Sequence, residues 1–175
     1  MARQRHGTQC ASRTLRSSLP PTPTDLLRPG LLQVKDFDGC GLVFGRARGS
    51  RKGRELEVRP WTSLNCYWRE ALQQLTVAGP VEVLTPAESD RLFAARPPAA
   101  GAVSAVSAQT RSLADDPALC ERARALLAGN EPLPRPARWT GNRLVPESTE
   151  FWYGPGRLHH RLRYDREQGQ DRSWQ

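Results

Sequence analysis

Glu150-Phe151-Trp152-Tyr153-Gly154-Pro155-Gly156-Arg157-Leu158-His159-His160-Arg161 is the run from which the architecture of this chain is read. Aromatic residues favour a pleated, half-buried surface and a short glycine-containing turn interrupts them, so strands are expected around Thr149 to Tyr153 and Arg157 to Asp165. Side chains alternate along a strand, which puts Arg157, His159 and Arg161 on one face and Leu158, His160 and Leu162 on the other. Two guanidinium groups and an imidazole on one wall suit an anionic, planar, redox-active ligand. Guanidinium pairs with phosphate or an electron-rich ring edge, and imidazole moves protons near neutral pH.

Upstream, Leu31 to Phe37 and Gly41 to Arg46 are short apolar runs separated by Asp38-Gly39, a dipeptide that tolerates the positive φ of a tight turn. They are expected to pair antiparallel. Ser50 is placed to cap a helix through Arg59, stopped by Pro60. Thr62 to Glu70 and Leu72 to Leu84 read as two more strands, with a bulge expected at Gly79-Pro80. Thr85-Pro86-Ala87-Glu88 has the form of a capping box with proline at the first helical position, opening a helix to about Ala95. Ala99 to Thr110 reads as a small-residue helix. Asp116-Pro117 opens another, with Leu119, Ala123, Leu126 and Leu127 on its apolar face and Gly129-Asn130 at its end. Pro132, Pro134 and Pro136 then make an extended linker. Strands first and last with helices inserted predict a mainly β chain, an antiparallel barrel under helical cover.

At 175 residues, one domain is expected by length. The net charge of +8 comes almost wholly from arginine, since lysine occurs only at Lys35 and Lys52. These arginines are scattered rather than gathered into one run, so a nucleic-acid partner is not expected. Cys10, Cys40, Cys66 and Cys120 form no Cys-x-x-Cys pair, which predicts reduced structural cysteines and neither a metal site nor a redox dithiol. No stretch approaches the roughly 20 apolar residues of a spanning helix and the N-terminus has no signal-peptide core, so a cytoplasmic protein without membrane contact is expected. Residues 1–24 are rich in Arg, Ser, Thr and Pro and contain no acid. Residues 1–27 are therefore expected to be a disordered basic tail, and residues 28–175 the folded domain.

The pattern Glu150-Phe151-Trp152, a turn, then Arg157-Leu158-His159-His160-Arg161 resembles the C-terminal signature of the pyridoxine (pyridoxamine) 5'-phosphate oxidases. Other blocks resemble that family in the same order: Leu31 to Asp38, Gly49 to Leu56, Gln74 within Leu72 to Val81, Phe93 to Pro97, Ser107 to Thr110, and Trp139-Thr140-Gly141. The resemblance covers residues 28–167 and implies an antiparallel split β-barrel of the FMN-binding type. It also implies a homodimer that builds its flavin site from two chains.

Gly49-Ser50-Arg51-Lys52 sets two cations beside open backbone N–H groups at an expected helix start, an arrangement that holds phosphate. The resemblance makes that phosphate the FMN phosphate, held by Arg51 and Lys52. It likewise assigns Gln74, Gln109 and Thr110 to hydrogen bonds with the cofactor, Trp152 to packing against the flavin, and Arg161 to its ring. For substrate it implies Lys35 and Arg96 on a phosphate, with Arg157 and His159 over the ring as the catalytic pair.

Several positions depart from the family pattern. Leu92 and Ala100 stand where a tyrosine and a serine would donate to the substrate phosphate, and each lost donor is worth roughly 0.5 to 3 kcal/mol. Gly30 replaces an arginine, Gly45-Arg46 an aromatic-threonine pair, and His160 an aspartate; Arg46 is the candidate to stand in for the lost cation near FMN. Residues 1–27 show no counterpart of the family's first two barrel strands, and the final Arg-Leu-x-Pro is absent, which suggests a chain shortened at both ends. Three readings follow. The first is an FMN-dependent oxidase converting pyridoxine or pyridoxamine 5'-phosphate to pyridoxal 5'-phosphate with molecular oxygen as acceptor. The second is a related oxidase of an aromatic secondary metabolite such as a phenazine, and the third a non-catalytic flavin-binding paralogue.

Overall fold

The hairpin expected at Asp38-Gly39 is present in the computed structural model, which describes residues 9–13, 30–109, 112, 115–129, 131–154 and 159–167. Gly39 takes φ +75°, and Asp38 Oδ1 accepts from the N–H groups of Cys40 and Gly41, so the turn is closed by its own aspartate. The chain divides into two compact units where length alone suggested one core. The first comprises residues 1–44, 60–82 and 143–175, the second 45–59 and 83–142.

In the first unit the strands are β1 (Gln9–Arg13), β2 (Gly30–Phe37), the start of β3 (Leu42–Ala47), β4 (Trp61–Trp68), β5 (Gln73–Val83), β7 (Ser148–Tyr153) and β8 (His160–Asp165). Strand β6 (Trp139–Leu144) ends in this unit. Successive antiparallel pairings link them in the order β3-β2-β1-β4-β5-β7-β8. Leu32, Phe44, Leu64, Cys66 and Val77 are buried among them. On the same side of β5 and β7, Leu75, Val77, Thr149 and Phe151 join Phe37 and Tyr164 around an apolar cavity of 530 Å³.

Four expectations need correction in this unit. Gln9–Arg13, placed in the disordered tail, form β1, whose backbone pairs with β2 on one side and β4 on the other. Pairing on both edges supplies what the local composition does not advertise. No bulge interrupts β5, since the register runs evenly through Thr62↔Gly79 and Trp61↔Pro80. Gly79 serves close approach instead, because a Cβ there would sit 2.0 Å from the Val145 carbonyl oxygen. Cys66 is disulfide-bonded rather than reduced, with Cys10 opposite it in the strand register, whereas Cys40 and Cys120 are free. Finally, β6 was missed as a strand, its sequence Trp-Thr-Gly-Asn-Arg-Leu lacking the alternation of a half-exposed strand because nearly all of it is buried.

The second unit holds α1 (Arg51–Val58), α2 (Pro86–Ala94), α3 (Pro98–Val106) and α4 (Asp116–Ala128) with the ends of β3 and β6. Ser50 caps α1 by accepting from Gly53 N–H, and Thr85 and Glu88 complete the capping box of α2. Ser89, fully buried, donates no surface role; its Oγ accepts from Gly141 N–H, while Gly141 O accepts from Leu84 N–H, tying α2 to β6. Trp139 fills the space left by Gly45, where a Cβ would fall 2.1 Å from the indole. Of the apolar face expected on α4, only Ala123 is buried, and Leu126 and Leu127 remain partly exposed. No helix among the described residues is long and apolar enough to cross a membrane.

Candidate active site

Strand register in the first unit brings together residues far apart in sequence. Gln74 on β5 stands opposite Trp152 on β7, and Trp152 opposite Arg161 on β8. Directly opposed residues of antiparallel strands share a face, so an amide, an indole and a guanidinium form one transverse row. Tyr67 of β4 extends it beyond Gln74. Gln74 Nε2 donates to Thr76 Oγ1 at 3.3 Å, and Asn65 Nδ2 donates to the same hydroxyl at 3.0 Å, so the carbonyl end of the Gln74 amide is not used in that network. Arg161 Nη2 donates to Glu150 Oε2 at 2.6 Å, a diagonal pair that orients the guanidinium. His159 stacks on Trp152, ring centroids 5.0 Å apart and planes 24° apart. Gly154 makes that stack possible, since a Cβ there would lie 2.5 Å from Trp152 Cη2 and 2.6 Å from His159 Nδ1.

The second unit carries two cationic features. Arg51 and Lys52 open α1 directly after its Ser50 cap, and Arg51 Nε lies 3.5 Å from Glu55 Oε1 one turn on. Burial, and then the neighbouring Arg51 charge, push the Lys52 ammonium below its ordinary value despite Glu55. A pair of cations at a helix start is a charge arrangement that suits an anion. Arg96, just past α2, is the second feature. Its guanidinium lies 5.8 Å from the Phe93 ring centroid and 5.5 Å from that of Trp139, and those rings meet edge to face at 5.2 Å. Nη2 donates to Ser104 Oγ at 2.9 Å and to Ala100 O at 3.2 Å, both on α3. Nε is buried without a hydrogen bond. Arg96 also borders a cavity of 360 Å³ with Gly101, Leu126 and Leu133.

Of the residues singled out in the sequence, the structure joins Gln74, Trp152, His159 and Arg161 in one unit and pairs Arg51 with Lys52 in the other. Lys35 is on β2, where its Nζ donates to Gln33 Oε1. Gln109 is exposed beyond α3, which ends at Val106 rather than continuing to residue 110. Thr110 and Arg157 lie outside the described residues. Arg46 does not take the place of a missing phosphate cation. Its side chain is 4% exposed, Nε donates to Asn142 Oδ1 at 3.1 Å, Nη1 donates to Gly53 O at 2.8 Å, and Glu57 lies 3.9 Å away. A buried arginine must use its donors locally, and this one braces the first turn of α1 from below. Glu150 and Ser104 were missed. Ser104 had a signal: it lies four residues after Ala100 on the same helix face, one turn from where a serine was expected.

Residues 22–122 match the pyridoxamine 5'-phosphate oxidase family, and residues 139–175 match the pyridoxine 5'-phosphate oxidase C-terminal dimerisation region. The chain belongs to this family. It is 40% identical over 140 residues to the pyridoxine/pyridoxamine 5'-phosphate oxidase of Mannheimia succiniciproducens, a match spanning 78% of this chain and 66% of that protein. It is equally 40% identical over 137 residues to the dihydrophenazinedicarboxylate synthase of Pseudomonas chlororaphis, spanning 78% of this chain and 62% of that one. Among solved structures, PhzG from Burkholderia lata 383 in complex with tetrahydrophenazine-1-carboxylic acid superposes with a TM-score of 0.84 at 36% identity, covering 93% of this chain and 78% of that one. An FMN-binding protein of Nostoc punctiforme, 15% identical, shares the fold with a TM-score of 0.78 over 94% of this chain and 84% of that one. The mainly β split barrel with inserted helices, expected from the sequence, is therefore the fold.

Proposed function

We propose that this chain is an FMN-dependent oxidase of a small anionic ring compound, with pyridoxine or pyridoxamine 5'-phosphate as the substrate and molecular oxygen as the acceptor. The observation that carries the reading is the row Gln74, Trp152, Arg161 with His159 stacked on its centre. FMN, when bound, supplies the two-electron acceptor that oxygen regenerates. Arg51 and Lys52 hold its phosphate, a role favoured by the desolvated Lys52 ammonium at the start of α1. Gln74 offers a hydrogen-bonding amide to the ring edge, with Gln109 and Thr110 beside it in role, and Arg161 offers its positive charge while Glu150 orients it. His159 and Arg157 orient the substrate ring, and Lys35 and Arg96 take its anionic group. A homodimer agrees with the match of residues 139–175 to a dimerisation region.

A second reading keeps the flavin and changes the substrate to a phenazine-type ring carrying a carboxylate. Leu92 and Ala100 bring no donors to a phosphate, and the relatives include dihydrophenazinedicarboxylate synthases. Oxygen uptake by the FMN-reconstituted protein separates the two. Turnover of pyridoxine 5'-phosphate supports the first, and turnover of a reduced phenazine carboxylate alone supports the second. Tight flavin binding with neither activity supports a non-catalytic paralogue.

A further inference from the structure

We propose that Ser104 is a positioning residue that, by holding one edge of the Arg96 guanidinium, sets how strongly the site grips a phosphate. The inference rests on the assignment of Arg96 to the substrate's anion. Guanidinium binds phosphate best as a fork, two parallel N–H groups of one edge meeting two oxygens. In this chain both hydrogens of Nη2 are spent inside the protein, on Ser104 Oγ at 2.9 Å and Ala100 O at 3.2 Å. Nε is buried, so the edge it shares with Nη2 is closed to a ligand. What remains for an incoming anion is Nη1, a single-point contact.

The arrangement traces to a displaced hydroxyl. Ala100 and Ser104 are one helical turn apart on α3, about 6 Å along its axis, so a hydroxyl at 104 takes up a hydrogen of Nη2 instead of standing beside a bound phosphate at residue 100. Phe93 and Trp139 flank the group and keep it in that orientation, at 5.8 and 5.5 Å from its central carbon. With Leu92 also lacking a donor, the arginine end of the site offers a phosphate far less than a free fork would. Removing the Ser104 hydroxyl is therefore expected to strengthen phosphate binding, the opposite of what loss of an ordinary structural hydrogen bond would do.

The test compares the parent with Ser104→Ala, Ser104→Cys and Ser104→Thr, each reconstituted with FMN. Pyridoxine 5'-phosphate is titrated calorimetrically, and labelling of Arg96 by phenylglyoxal is followed by peptide mass spectrometry. Releasing one charged donor is expected to tighten binding roughly five-fold in Ser104→Ala and Ser104→Cys, with faster Arg96 labelling, while Ser104→Thr stays at the parental values. In turnover, the change is expected in KM and not in kcat. Unchanged or weaker binding in both hydroxyl-free variants overturns the proposal, and so does faster labelling without tighter binding. If the parent takes up no flavin, the oxidase reading fails on its own, and protection of Arg96 from labelling by inorganic phosphate decides the role of Ser104: stronger protection in Ser104→Ala upholds it, and equal protection overturns it.

Discussion

His159 lies flat against Trp152, their ring centroids 5.0 Å apart, and the contact exists only because residue 154 has no side chain. Aromatic residues in a late strand are commonly plain packing, but here the indole bridges Gln74 and Arg161 on neighbouring strands while its face holds an imidazole. The stack fixes the position of the imidazole beside this row.

Gly154→Ala is expected to break the stack, because the new methyl would lie 2.5 Å from the indole and 2.6 Å from the imidazole. Misplacing a substrate-orienting group by about 1 Å costs on the order of a hundred-fold in rate. Turnover should therefore fall steeply while far-ultraviolet circular dichroism stays parental. A variant as fast as the parent would remove His159 from the substrate's surroundings.

The start of α1 is expected to govern flavin retention. Arg51→Ala with Lys52→Ala removes two charge-assisted contacts, for a loss of roughly a hundred-fold or more in FMN affinity. Because burial already lowers the Lys52 ammonium, FMN affinity should also decline on the alkaline side before an ordinary lysine would titrate. Equilibrium dialysis against FMN from neutral to alkaline pH checks both, and equal flavin content in parent and double variant would contradict the assignment.

The Asp38 turn carries an acid-dependent share of stability. Burial tends to raise its carboxyl, but the Arg143 hydrogen bond at 2.8 Å, the Arg143 charge, and the Cys40 and Gly41 N–H groups together leave it lowered below 3.8. A carboxylate lowered on folding contributes stability that is present above its unfolded pKa of about 3.9 and is lost as pH falls through the folded value. Asp38→Asn should therefore lower Tm at neutral pH, with the difference from the parent shrinking as acid is added. A difference independent of pH would show that the ion pair contributes nothing through titration.

Restoring both missing hydroxyls, Leu92→Tyr with Ala100→Ser, is expected to tighten pyridoxine 5'-phosphate by roughly 1 to 3 kcal/mol if that vitamer is the substrate. No gain in calorimetric affinity would move the balance to the carboxylated ring.

Much of this was legible because local chemistry and final structure agree. Asp38-Gly39 turned the hairpin, Ser50 capped α1, and Thr85 with Glu88 built the box at α2, each within a few residues of its partner. What escaped depends on contacts made at long range. Strand β1 is held by ladders from β2 and β4, and β6 is buried on both faces, so neither shows the alternation that marks a half-exposed strand. At the site, the family pattern singled out Gln74 as a candidate, but its place in a row with Trp152 and Arg161 is a matter of register. Arg46 misled because charge was visible and burial was not. Its partners Asn142 and Gly53 come from separate elements of the second unit.

The central claim is that the chain binds FMN and passes to it two electrons from an anionic ring. Anaerobic mixing of the reconstituted protein with pyridoxine 5'-phosphate tests this directly, read as the visible absorbance of oxidised flavin. The account predicts stoichiometric bleaching that reverses when oxygen is admitted. A protein that takes up no FMN, or one whose bound flavin stays oxidised with both the vitamer phosphate and a reduced phenazine carboxylate, would contradict it.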